Sequence, residues 1–247
     1  MNTSHENLTD TWNANSDDYN RYSKEGLEDK KELEAWKSIM KEVFGDSPLK
    51  ILDIGTGPGT IAIVLSEMGH EVTALDFSDS MLSHARANAL ARGAEVTFVK
   101  GDAADLPFSD NSFDAVISRN VLWTLPDPVK ALTEWKRVIS PDGKLTYIDG
   151  DWSNELNKSV KTRFKHLISS FLIRVTQREH VSRIQATCGK DLWSVSAERP
   201  AFDLNVLNGL DLKDIRVSTG IDQRVYSGLR AWKYGYYSGT FLVECRK

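Results

Sequence analysis

The feature that most narrows what this chain can fold into is the run Asp53-Ile54-Gly55-Thr56-Gly57-Pro58-Gly59. It closes the apolar stretch 49–54 and opens the helix-forming stretch 60–68. Glycines directly after a strand and directly before a helix let the backbone adopt conformations that a Cβ opposes and bring it close to a ligand. The amides exposed where the helix begins can then hold a carboxylate or a phosphate. One strand-loop-helix unit of this kind needs further strands beside it to complete a parallel sheet.

The chain on either side continues an α/β pattern. Upstream, Leu33, Trp36, Met40, Val43 and Phe44 stand at helical spacing among Lys and Glu over 28–44, and Gly45-Asp46-Ser47-Pro48 stops that helix. Downstream, short apolar runs at 71–75, 96–100, 113–118 and 144–148 read as strands. The stretches 79–92 and 128–139 read as helices, and Pro141-Asp142-Gly143 reads as a turn. Two further runs, 212–218 and 240–245, look like closing strands. The expected fold class is therefore α/β: a Rossmann-like three-layer sandwich with a seven-stranded, mainly parallel sheet and an inserted helical cap. A single domain spanning 1–247 is expected. Within it, residues 1–45 form a helical cover, 46–150 the cofactor-binding core, 151–200 the cap over the substrate, and 201–247 the closing strands.

Composition limits the partners. The 247 residues include 31 Lys and Arg against 35 Asp and Glu, a formal charge of −4, which offers no general attraction to nucleic acid or an anionic membrane. Two cysteines, Cys188 and Cys245, are too few for a disulfide scaffold or a Cys-rich metal site and suit a reducing compartment. The first eleven residues lack the basic and apolar regions of a secretory signal, and no apolar run approaches a membrane span. A cytoplasmic location and a small-molecule partner are expected, with no nucleic acid, no membrane span and no metal.

The glycine loop admits two cofactor readings. A nicotinamide-dinucleotide fold asks for G-x-G-x-x-G/A, whereas Thr60 follows Gly59 here and the spacing is off by one. An acid at the end of the second strand, Asp76, suits the ribose of either cofactor. The wider pattern separates them. The run Ile51 through Thr60 resembles motif I of class I methyltransferases. The stretches Gly101-Asp102-Ala103-Ala104-Asp105-Leu106-Pro107-Phe108 and Ser112-Phe113-Asp114-Ala115-Val116 are similar to their third- and fourth-strand motifs, and the segment ending Ile139-x-Pro141-Asp142-Gly143 is similar to their Leu-Lys-Pro-Gly-Gly ending. Order and spacing agree from about residue 50 to 150, and the branch most resembled is that of the quinone-biosynthesis and other small-molecule enzymes, methyltransferase domain type 11.

That resemblance implies S-adenosyl-L-methionine as cofactor and assigns roles to individual residues. Gly55, Thr56, Gly57 and Gly59 would form the loop under the methionine portion, with Asp53 ordering it or reaching the amino group. Asp76 would take the ribose, Phe77 and Met81 would flank the adenine, and Asp102 with Ala103 would bind its edge. Arg119 and Asn120 would close over the methionine end. Apart from the resemblance, the N-terminal segment 12–22 is expected to join 151–200 as a cover, with Trp12, Tyr19 and Tyr22 closing the donor side. One departure stands out: Asn120-Val121-Leu122-Trp123-Thr124-Leu125 replaces the usual stretch that carries a His.

Methyl transfer from a sulfonium needs an in-line nucleophile and releases a neutral group, so placement and desolvation supply much of the acceleration and a base is optional. Candidates for one are Tyr147 and Asp149, with Asp151 beside them, at the carboxyl end of the fifth strand, and His166 and His180 in the cap. Phe164, Leu167, Phe171 and Trp193 are candidates to line the acceptor side. The fourth strand runs into Ser118-Arg119-Asn120-Val121 rather than the Asn/Asp-Pro-Pro-aromatic motif of DNA and protein amino-methyltransferases. The expected function is methyl transfer to a small-molecule acceptor. The alternatives are a non-catalytic cofactor-sensing or partner-binding protein on the same fold, and, more weakly, a nicotinamide oxidoreductase. The sequence leaves the acceptor and the oligomeric state open.

Overall fold

The computed structural model describes residues 3–151, 168–169, 171–172, 175, 192–233 and 239–247. Three helices lead the chain: α1 (Thr3–Ala14), α2 (Ser16–Glu28) and α3 (Lys30–Phe44). Asp29 caps α3 by accepting from the amides of Lys31 and Glu32, which satisfies two donors left open at the helix start. Then follow β1 (Lys50–Ile54), α4 (Thr60–Glu67), β2 (Glu71–Asp76), α5 (Asp79–Arg92), β3 (Val96–Lys100), β4 (Phe113–Arg119), a 3-10 turn (Leu122–Thr124), α6 (Pro128–Val138) and β5 (Ile139–Gly150). After the 151–200 segment, of which α7 (Trp193–Ser196) is described, come α8 (Ala201–Gly209), β6 (Lys213–Thr219), α9 (Ile221–Val225), α10 (Gly228–Lys233) and β7 (Thr240–Arg246).

The strands form one seven-stranded sheet in the order β3-β2-β1-β4-β5-β7-β6. Pairs among the first five are parallel, and β7 runs antiparallel to both β5 and β6. Every residue of β1 and β2 after the first is buried, as helices on both faces of a parallel sheet require. Alternate residues go to opposite cores. Leu52, Leu75, Val116, Leu145 and Tyr147 pack with α6 and Leu207 of α8 on one face. Ile51, Ala74, Ile117 and Ile148 pack with α3, α4 and Val225 of α9 on the other.

The mainly parallel seven-stranded α/β sheet is the expected fold, and three local features differ. Strand β5 starts at Ile139, read from the sequence as the last turn of a helix, because Ile139 already pairs with Phe113 of β4. The Pro141-Asp142-Gly143 turn is accommodated inside β5 as an irregularity, with Asp142 at φ +63°. The region between cap and β7 holds α8, α9 and α10, whose five- to nine-residue lengths are too short for a helical period to show. The expected N-terminal cover is three helices: α3 packs into the core through its apolar residues, and α1 and α2 add polar contacts. Ser78 Oγ donates to Asn13 Oδ1 at 2.6 Å, Asn88 Nδ2 to Asn20 Oδ1 at 2.9 Å, and Ser23 pairs with Thr60. No helix among the described residues is long and apolar enough to cross a membrane.

Candidate functional site

Between β1 and β4 the strand order reverses, and at such a point the loops leaving neighbouring strands part and open a crevice at the strands' carboxyl ends. A cavity of about 370 Å³ lies there. Its floor is the glycine loop. The amides of Gly55 and Thr56 both donate to the carbonyl of Leu75 at the end of β2, at 2.7 and 3.0 Å, so the loop is tied to the neighbouring strand. Gly55 (φ +65°) needs to be glycine twice over, since an added Cβ would overlap the Val121 side chain. Gly57 (φ +54°) differs: a Cβ there meets no protein atom within 4 Å, because it points into the cavity. Gly59, at φ +89°, caps α4.

Polar groups converge on this floor. Asp53, 2% exposed, accepts from Thr56 Oγ1 at 2.7 Å, and burial pushes its carboxyl up to about 6. Asp76 ends β2 with one carboxylate oxygen accepting from Gly57 N at 2.8 Å and the other from Ser78 N at 2.9 Å. Burial raises its carboxyl too. Phe77, Met81, Asp102 and Ala103 line the same end, and Asp102 accepts from Ala104 N at 2.8 Å, which fixes its turn. At the opposite end stand Arg119 and Asn120, the latter at φ +59°. The Arg119 guanidinium lies 5.1 Å from the Trp36 ring centroid; burial opposes its charge, but Tyr22, Tyr226, Glu32 and Asp53 outweigh that and keep it protonated.

Of the residues named from sequence, Asp53, Gly55, Thr56, Gly57, Asp76, Phe77, Met81, Asp102, Ala103, Arg119 and Asn120 all border the cavity, as do Trp12 and Tyr19 of the N-terminal cover. Gly59 stands just behind, packed on Ala85. Tyr22 is a correction: it is not a lining residue, and its hydroxyl pairs with that of Tyr226 beside Arg119. Thr9, Lys100, Val121 and Thr124 line the wall without having been singled out. The signal available for Lys100, Val121 and Thr124 was their position at or just beyond the carboxyl ends of β3 and β4.

Two of the proposed bases are also corrected. Tyr147, 1% exposed, donates to Asp203 Oδ1 at 3.0 Å, and burial together with that carboxylate holds its hydroxyl well above its ordinary value. Asp149 accepts from Arg199 Nη1 at 2.7 Å and from Trp123 N at 3.0 Å. Both side chains are spent on structure, and neither borders the cavity. Trp193 likewise lies behind the wall, donating to the Leu125 carbonyl at 2.9 Å, and Phe171 is 65% exposed. His166, His180, Phe164 and Leu167 lie outside the described residues.

The chemistry of the lining fits the expected cofactor. A glycine with open space above it admits a ligand against the backbone, the acids Asp76 and Asp102 can accept from hydroxyl or amino groups, and Phe77 and Met81 offer apolar surface for a ring. Residues 52–147 match the family model of the methyltransferase domain. The chain is 44% identical over 105 residues to the demethylmenaquinone methyltransferase of Thermus thermophilus, covering 42% of this chain and 48% of that protein. It is 39% identical over 117 residues to that of Staphylococcus aureus, covering 46% and 48%. The matched region thus spans about half the length of these curated relatives. A methyltransferase of Aquifex aeolicus described as SAM-dependent superposes with a TM-score of 0.59 at 21% identity, covering 92% of this chain and 97% of that one. The phosphoethanolamine N-methyltransferase 2 of Haemonchus contortus, in complex with S-adenosyl-L-methionine, gives 0.59 at 20% identity over 87% and 52%.

Proposed function

We propose that this chain, whose residues 52–147 match the family model of the methyltransferase domain, transfers a methyl group from S-adenosyl-L-methionine to a small-molecule acceptor and releases S-adenosylhomocysteine. The observation that carries the reading is the cavity at the reversal of the sheet, where Gly57 faces open space between Asp76 and Arg119. In this assignment Asp76 binds the ribose, Asp102 and Ala103 the adenine edge, Phe77 and Met81 the ring faces, and Asp53, Gly55 and Arg119 the methionine end. The cofactor, when bound, supplies an electrophilic methyl on a sulfonium whose departure as a thioether needs no proton.

The chain's own residues are left with orientation and exclusion of water. The glycine loop, pinned to Leu75, presents a rigid floor. Trp12 and Tyr19 close it from above, and removing water from the cavity strengthens every electrostatic contact inside. With Tyr147 and Asp149 committed elsewhere, no general base is assigned. The formal charge of −4 and the two cysteines support a small molecule rather than nucleic acid as partner, and a cytoplasmic setting.

The test is thermal and isotopic. S-adenosylhomocysteine at 100 times its dissociation constant stabilises the native state by about 2.7 kcal/mol, a rise in Tm of roughly 5 to 11 °C for a chain of this size. Labelled methyl then passes from S-adenosylmethionine to a low-molecular-weight fraction of a cell extract. A shift produced by a nicotinamide dinucleotide and by neither of these compounds refutes the assignment. Binding without any transfer favours a cofactor-sensing protein on the same fold.

A further inference from the structure

The wall of the cavity between β4 and α6 is the segment 119–126, which contributes Arg119, Asn120, Val121, Thr124, Leu125 and Pro126 to the lining. It contains a single 3-10 turn, and Val121 abuts Gly55, so a shift of this turn presses on the glycine loop. Three of its backbone groups are bound from behind, on the side away from the cavity. The amide of Trp123 donates to Asp149 Oδ2 at 3.0 Å, the carbonyl of Trp123 accepts from Ser194 Oγ at 2.8 Å, and the carbonyl of Leu125 accepts from Trp193 Nε1 at 2.9 Å.

Two of these three bonds, those from Asp149 and Trp193, trace back to one cation. Arg199 donates from Nη1 to the same Asp149 oxygen at 2.7 Å, and from Nε and Nη2 to the two oxygens of Asp203 at 2.9 and 2.6 Å. Its guanidinium sits between the rings of Trp193 and Phe241, 5.1 and 5.2 Å from their centroids. The side chain is fully buried, and removing it would leave two carboxylates buried together without a countercharge. Asp149 therefore has a fixed position from which to hold Trp123, and Trp193 a fixed ring from which to hold Leu125.

We propose that Arg199 is a positioning residue: acting through Asp149 and Trp193, it holds the 119–126 wall in the shape that binds the cofactor, and so joins the end of the 151–200 segment to the cofactor cavity. The inference rests on the cofactor assignment made above. Trp193, Ser194 and Arg199 do not border the cavity, so their effect on a ligand there is transmitted by the turn alone.

The experiment measures S-adenosylhomocysteine affinity by calorimetry, well below the Tm of every variant, for the wild type, Arg199→Met, Trp193→Phe and Ser194→Ala. The last two each remove one neutral hydrogen bond to the turn and keep the inference testable if Arg199→Met does not fold. Val43→Ala, in the core layer on the other face of the sheet, is the control for lost stability. The expected result is affinity lowered roughly threefold to tenfold for Trp193→Phe and for Ser194→Ala, the range that one hydrogen bond spans. Val43→Ala should lower Tm and leave affinity unchanged. Unchanged affinity in Trp193→Phe, or in Arg199→Met where that variant folds, overturns the inference and leaves the cofactor assignment standing. An equal loss of affinity in Val43→Ala overturns it as well, by showing that any destabilisation has this effect. A wild-type chain that does not bind S-adenosylhomocysteine at all refutes the cofactor assignment and this inference with it.

Discussion

Asp76→Ala separates a ribose ligand from a purely structural carboxylate. In the native fold Asp76 is 6% exposed and each of its oxygens already takes one backbone amide, Gly57 at 2.8 Å and Ser78 at 2.9 Å. A carboxylate oxygen can accept more than one hydrogen bond, so both remain able to receive a ribose hydroxyl. Hydrogen bonds to a charged group contribute about 1.5 to 3 kcal/mol each. Sharing the oxygens with the two amides weakens each bond to about half of that, so the pair together is expected to supply about 1.5 to 3 kcal/mol. That corresponds to roughly a 10- to 150-fold weaker dissociation constant. Calorimetric titration with S-adenosylhomocysteine and, separately, with adenosine should show the same factor for both, since both carry the ribose. The variant should also lose stability, because the amides of Gly57 and Ser78 lose their partner. Loss of stability with both affinities unchanged would refute the ribose assignment and leave Asp76 as no more than a brace for the loop.

The remaining predictions concern the loop, the buried acid and the corrected candidates. Gly57→Ala should cost about 1 to 2 kcal/mol of stability for its left-handed conformation and abolish S-adenosylhomocysteine binding, because the methyl enters the cavity. Gly55→Ala should destabilise distinctly more in chemical denaturation, since its methyl meets Val121; equal costs would show that the cavity side is misassigned. Asp53 has its native carboxyl raised from 3.8 to about 6 by burial, so its contribution to stability is fully present below pH 4 and is lost as pH rises through about 6. Asp53→Asn should therefore raise Tm near pH 7, by an amount worth up to about 3 kcal/mol, while melting like wild type at pH 4; an unchanged difference across that window contradicts the reasoning. Tyr147→Phe should lower stability by about 1 kcal/mol through the lost bond to Asp203 and leave methyl transfer intact, and a collapse of turnover would restore Tyr147 as a catalytic candidate.

Residues 50–119 were legible in the sequence because their structure is local. An apolar run of five or six residues, a glycine-rich turn and a helix of eight to fourteen residues each announce themselves by period, cap or breaker, and a parallel sheet repeats the unit. The cavity inherits that legibility: its floor and the end lined by Phe77, Met81 and Asp102 come from residues at or just past strand ends, and those are consecutive in sequence with the motifs that mark them. Asp53, Gly57, Asp76 and Asp102 needed no tertiary information to be named.

Tertiary structure alone decided what the polar residues farther along the chain do. Asp149 and Tyr147 sit at the carboxyl end of β5, which from sequence is the address of a catalytic group. Their partners, Arg199 and Asp203, are 50 and 56 residues away, and no local pattern signals that pairing. Tyr22 was drawn from the cavity wall in the same manner, to a hydroxyl partner 204 residues distant at Tyr226. The sheet order that opens the crevice between β1 and β4 is likewise a global outcome, fixed by which strands can pair while both faces stay covered. What a residue is able to do follows from its chemistry and its immediate neighbours along the chain, and sequence records both. Whether it faces a ligand or is used up in holding the fold depends on groups that only chain folding brings within hydrogen-bonding distance.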